Sequence, residues 1–159
     1  MASTAPKTLL HIGSHKTGST FLQASFVENR TALADHNILF PEFGNYYGNK
    51  IHKPISDFFS GLDESGQPLL EKVQAAAQKA SQQLLLSAEN FYDLSPENIA
   101  NVARYLGNDT KVICYLRDPV EHIVSYWQQV LKGKEVSIPF EKFVQSETKK
   151  LSAAQSYYA

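Results

Sequence analysis

Between Gly13 and Thr20 the chain reads GSHKTGST, directly after the apolar run TLLHIG. Two glycines, a lysine and several hydroxyls in so short a span suit the holding of an anion. Successive backbone N–H groups of a Gly-containing loop can converge on one oxyanion. A helix starting at the end of the loop adds unpaired N–H donors and a partial positive charge. In that frame Gly18 admits close approach of the backbone, Ser19 and Thr20 offer hydroxyl donors, and Lys16 brings a full charge on a flexible stem. Lys16 precedes the last glycine, whereas the common ATPase loop places lysine directly after it, ahead of a Ser or Thr.

A second stretch, LRDPVEHIVS (Leu116–Ser125), has the same kind of chemistry. Arg117 can fork onto a phosphate. Ser125, eight positions on, can donate a hydroxyl to the same group. Asp118 suits a helix N-cap. Two anion sites on one edge of a sheet would take a ligand with two separated phosphate groups.

The elements that must position these residues follow from pattern. TLLHIG (Thr8–Gly13) reads as a buried strand ended by glycine. A helix is expected from Ser19 to Asp35, with Phe21, Leu22, Phe26 and Leu33 on its core face. NILFPEFG gives a second strand ended by Pro41, and Asn45 to Lys53 a polar, aromatic surface loop. PISDFFSGL is a short helix and LLEKVQAAAQKASQQ a longer one. QLLLSAEN is a third strand that turns abruptly polar. SPENIANVARYLG carries helix punctuation: Ser95 at the N-cap, Pro96 at the first position, Gly107 at the stop, and Ile99, Val102 and Leu106 as its stripe. KVICYLRDP is a fourth strand, the most continuous apolar run. Asp118 and Pro119 open a helix with Ile123, Trp127 and Leu131 on one face. KGKEVS is a loop, and PFEKFVQSE begins a last helix. Strands alternating with helices predict an α/β fold, a parallel sheet flanked by helices. In such a sheet ligands bind at the carboxyl ends of the strands, where both stretches lie.

Bulk composition excludes several classes. A chain of 159 residues, 43% hydrophobic, suits a single globular domain over 1–159. Its net charge of −1 argues against a nucleic-acid or membrane-surface binder. No run approaches the ~20 apolar residues of a membrane span, and MASTAPK lacks the features of a secretory signal. The lone Cys114, in KVICYL, forms no intrachain disulfide and reads as a buried thiol. A cytoplasmic location is the expectation.

Together HKTGST and RDPVEHIVS resemble the sulfotransferase family that uses 3′-phosphoadenosine 5′-phosphosulfate. The Lys-x-Gly-[Ser/Thr]-Thr order looks like that family's 5′-phosphosulfate loop. The Arg and Ser eight positions apart look like its 3′-phosphate motif. The resemblance runs from about Lys7 to Phe143. It implies a fold related to P-loop nucleoside-triphosphate hydrolases and kinases, and no metal. By it Lys16, Thr17, Gly18, Ser19 and Thr20 would hold the 5′-phosphosulfate, with Lys16 also catalytic, and Arg117 and Ser125 would hold the 3′-phosphate. His15, inside the loop, would touch acceptor or nucleotide. Acceptors would be small molecules, carbohydrates or lipids with a hydroxyl or amine. The family adds a later strand and a basic, Gly-containing segment that is not recognisable after Lys134. The chain is therefore expected to be short or incomplete at its C-terminal end, and a homo-oligomer or completing chain stays open.

Transfer needs a base for the acceptor proton, and three residues qualify. Glu89 follows the third strand, where the cytosolic branch of the family carries its base. There burial would raise its pKa. His52 titrates in the useful range without help and would line an acceptor cleft from a loop. Glu42 follows the second strand. His11 reads as structural, His36 and His122 as surface helix residues, and Trp127 as core. A P-loop kinase and a non-catalytic nucleotide-binding module are the competing readings.

Overall fold

The computed structural model describes residues 7–13, 15–42, 51–134 and 137–155. It divides into two compact units, Met1–Leu116 and Arg117–Ala159. The first contains a sheet of four strands: β1 (Thr8–Gly13), β2 (Ile38–Leu39), β3 (Gln83–Ala88) and β4 (Lys111–Tyr115), in the order β2-β3-β1-β4. Every pairing is parallel, as the alternation of elements predicts. Five helices connect them: α1 (Ser19–Glu28), α2 (Arg30–Asp35), α3 (Lys53–Phe59), α4 (Gly66–Lys79) and α5 (Pro96–Leu106).

Register decides what each face of the sheet carries. Leu10 pairs with Leu86, and the next residues, His11 and Ser87, pair with each other. Side chains alternate faces along a strand. Leu10, Leu84, Leu86 and Ala88 therefore share one face, where Ile55 and Phe59 of α3, Leu70, Val73 and Ala77 of α4, and Val102 and Leu106 of α5 complete the core. His11 and Ser87 share the other face with Gln23 and Phe26 of α1.

The expected helix over 19–35 is two helices. At Asn29 both the backbone N–H and the side-chain amide bond the carbonyl of Ser25. This local capture competes with helix continuation, and α2 starts afresh when Leu33 N–H reaches Asn29 O. Phe21 is exposed, and the buried residues of α1 are Ser19 and Gln23 instead. β2 is only two residues long, and the expected loop from Asn45 lies outside the described residues as far as Lys50. Ser95 accepts from Asn98 N–H and Pro96 opens α5, as predicted, but Ile99 faces solvent.

β4 departs most from expectation. The most apolar run of the sequence is not a buried strand. Among the described residues it is the last strand in the order, with β1 as its one partner, and Val112, Cys114, Tyr115 and Leu116 are exposed. The expected buried thiol of Cys114 is thus corrected to an exposed one.

The second unit holds α6 (Pro119–Lys134) and α7 (Phe140–Gln155). Asp118 caps α6, its Oδ1 accepting from the N–H groups of Val120 and Glu121. Trp127 donates Nε1–H to Ile138 O at 2.7 Å and meets Phe140 edge to face, while Tyr126 meets Phe143. Trp127 is therefore an internal packing residue of this helix pair, as expected. α6 runs to Lys134, into the stretch expected to be loop. Among the described residues no helix is long and apolar enough to cross a membrane.

Candidate functional site

The loop after β1 carries two left-handed residues, Lys16 and Gly18, at φ 67° and 89°. Intervening Thr17 is not among the positive-φ residues. Alternation of left- and right-handed residues is how concave N–H nests are built. Gly18 is required there by conformation, because a Cβ would meet nothing within 4 Å but would be strained at that φ. It stands at the N-cap of α1 without a side-chain cap, so the first turn of the helix is not closed by its own cap residue.

Glu89 lies against this loop. It begins the short 3-10 helix Glu89–Asp93, directly after β3. Ile12 pairs with Ala88, so the parallel register brings Glu89 level with Gly13. A Cβ on Gly13 would lie 3.6 Å from Glu89 Cγ and 3.1 Å from Ser19 Cβ. Ser19, itself buried, donates its hydroxyl to Glu89 Oε1. His15 Nδ1–H donates to Glu89 Oε2 at 2.7 Å. Both oxygens of the carboxylate are thus taken by loop residues.

Charge follows from this geometry. His15 stands between two carboxylates, Asp93 Oδ2 at 3.8 Å from Nε2 and Glu89 at Nδ1. Asp93 and Glu89 together lift its pKa to about 10, so at neutral pH it is an imidazolium. In return the His15 bond, helped by Ser19, holds Glu89 below the usual carboxylate range although burial opposes this. The expected raised pKa of Glu89 is corrected: a cation and a hydroxyl at its two oxygens outweigh its desolvation.

His52 is placed differently from expectation. It does not line a cleft from a polar loop but is fully buried at the start of α3. Its Nδ1 accepts from Ser87 N–H at 2.9 Å, its Nε2–H donates to Pro41 O at 3.1 Å, and its own N–H donates to Ser87 O at 2.8 Å. His52 thereby does for β3 what one residue of a neighbouring strand would do. Burial pushes its pKa down to about 4. Glu42 is exposed and paired with Arg30 Nη1 at 2.9 Å, and Arg30 also lies over the Phe40 ring.

Beneath the loop runs a buried polar chain. Gln23 of α1 donates to Ser87 Oγ at 3.1 Å, and His11 Nδ1 lies 2.7 Å from the same oxygen. His11 is fully buried, its pKa is lowered by that burial, and its Nε2 has no hydrogen-bond partner among the described residues. His11, expected to be structural, is buried within the sheet. Asp93, Ser87 and Gln23 are the residues that sequence reasoning missed. The one readable signal was Ser87, a polar residue among the leucines of β3 at the register of His11.

In the second unit Arg117 and Ser125 line one open depression on α6, with Val120, Glu121, Val124 and Gln128. Arg117 Nε donates to Glu121 Oε2 at 3.1 Å, an exposed pair one helical turn apart.

Among the described residues no group of His, Cys, Asp and Glu is gathered in the manner of a metal site. No curated protein and no solved structure matches the chain. The family model of the sulfotransferase domain matches residues 6–159, and so the chain belongs to the sulfotransferase family.

Proposed function

We propose that this enzyme transfers a sulfuryl group from 3′-phosphoadenosine 5′-phosphosulfate to a hydroxyl or amine of a small-molecule, carbohydrate or lipid acceptor. The observation that carries the proposal is that the segment His15–Thr20, in a chain of this family, already holds an anion: the Glu89 carboxylate on Ser19 and His15. A site that binds one oxyanion through a hydroxyl and a cation fits the 5′ end of such a donor.

When bound, the donor supplies the sulfuryl group, its sulfur exchanging the oxygen bond to the 5′-phosphate for a bond to the acceptor oxygen or nitrogen. Thr17, Gly18, Ser19 and Thr20 receive the 5′ end. Lys16 balances the negative charge that gathers on the leaving phosphate. Arg117 forks onto the 3′-phosphate and Ser125 donates to it. Glu89 takes the proton that the acceptor releases. His52 is given a structural part, since both its ring nitrogens bond backbone groups, and Glu42 is occupied by Arg30. A cytoplasmic setting, where the exposed Cys114 stays reduced, goes with this reading.

The test is transfer from labelled donor to a panel of sugar, phenol, alcohol and amine acceptors in chelator. Release of 3′-phosphoadenosine 5′-phosphate matched by labelled acceptor is expected. Magnesium-dependent ATP turnover would favour a kinase instead. Nucleotide binding without transfer to any acceptor would favour a binding module.

A further inference from the structure

We propose that Glu89 is a resident anion of the phosphosulfate loop, which the donor must displace from Ser19 and His15 before Glu89 can serve the acceptor. This rests on the donor reading above and goes beyond it, since it makes one carboxylate both the competitor of the donor and the base of the reaction.

Hydrogen-bond counting carries the argument. A serine hydroxyl has one proton. Ser19 gives that proton to Glu89 Oε1, so it has none for a donor oxygen until Glu89 leaves. The Nδ1–H of His15 is likewise committed to Glu89 Oε2. Ser19 is the first residue of α1, so the carboxylate stands at the helix end where the loop would present its donors to a ligand. Its stem passes over Gly13, the last residue of β1. Two like charges are not both held by one hydroxyl and one imidazolium without mutual repulsion.

Release also changes what Glu89 can do. Bonded to His15 and Ser19 it is a weak base, and parted from them it regains proton affinity. The base therefore becomes strong only when the donor is in place.

Calorimetric titration of 3′-phosphoadenosine 5′-phosphate into wild type and Glu89→Gln tests this. The amide keeps the shape and hydrogen-bonding reach of the carboxylate without its charge. Glu89→Gln is expected to bind about 5- to 150-fold tighter, the size of typical coupling free energies. The gain should persist in ~1 M salt, where a mere long-range field is screened within roughly 3 Å. Glu89→Ala, which removes the competitor entirely, carries the test if the amide variant does not fold. Equal or weaker binding by both variants, or a gain that vanishes in high salt, overturns the inference and leaves the donor reading standing. Absence of binding by wild type as well as by both variants overturns the donor reading itself.

Discussion

At His15 one side chain adds positive charge to the loop. Without its neighbours it would titrate near 6.5, but Asp93 and Glu89 move it to about 10. Its proton is favoured in the folded chain. The stabilisation is therefore complete below pH 6.5 and fades as pH rises toward 10. The imidazole is half-exposed, so solvent screening keeps the contribution to about 1 kcal/mol or less. Urea unfolding of wild type and His15→Gln should show wild type ahead at pH 6 and the gap closed near pH 10. A gap that stays constant across that window would mean that the charge of His15 is not what ties the loop to Glu89. Sequence pointed to a candidate site at Lys16–Thr20 because an anion loop needs glycine, hydroxyls and cations close together in the chain. Sequence could not show that Glu89 and Asp93 enclose His15, because those contacts span 74 and 78 positions and depend on the β1–β3 register.

Among the elements, β3 and its neighbours were legible as types and misread as environments. QLLLSAEN, Gln83 to Asn90, announces a strand that turns polar, and the strand does end at Ala88. What apolarity alone does not tell is which strand lies at the edge. KVICYL is a continuous apolar run, yet among the described residues β4 has a strand neighbour on one side only. His52 was misread for a related reason: a histidine in a polar stretch gives no hint that β3 needs a partner at Ser87. Its neutral ring satisfies Ser87 N–H and Pro41 O together, which fixes its protonation state. With its pKa near 4 when folded and near 6.5 when unfolded, unfolding takes up a proton between these values. Stability is then full above pH 6.5 and falls as pH drops toward 4, by on the order of 3 kcal/mol at most. Chemical denaturation from pH 7 to pH 4 should show this acid loss in wild type. His52→Asn, with an amide in place of the ring and nothing to titrate there, should lose less over the same range. Equal acid slopes in the two proteins would remove His52 as the cause.

For the whole molecule, the two motifs fall in different compact units, the loop in Met1–Leu116 and Arg117 and Ser125 in Arg117–Ala159. In the proposal above the loop takes the 5′ end of the donor and Arg117 takes its 3′-phosphate. Arg117→Ala should therefore cost affinity for 3′-phosphoadenosine 5′-phosphate by about 10- to 100-fold, as loss of a charge-assisted bond does. It should leave adenosine 5′-phosphate binding nearly unchanged, because that ligand lacks the 3′ group. A parallel loss for both ligands, measured by competition, would mean that Arg117 supports the fold rather than the 3′-phosphate. The measurement that bears most directly on the sulfotransferase reading is a paired titration of 3′-phosphoadenosine 5′-phosphate and ATP in chelator, on wild type and Lys16→Ala. The prediction is tighter binding of 3′-phosphoadenosine 5′-phosphate than of ATP without metal, weakened at least ~10-fold by Lys16→Ala. Equal or tighter binding of ATP by the wild-type chain would contradict it.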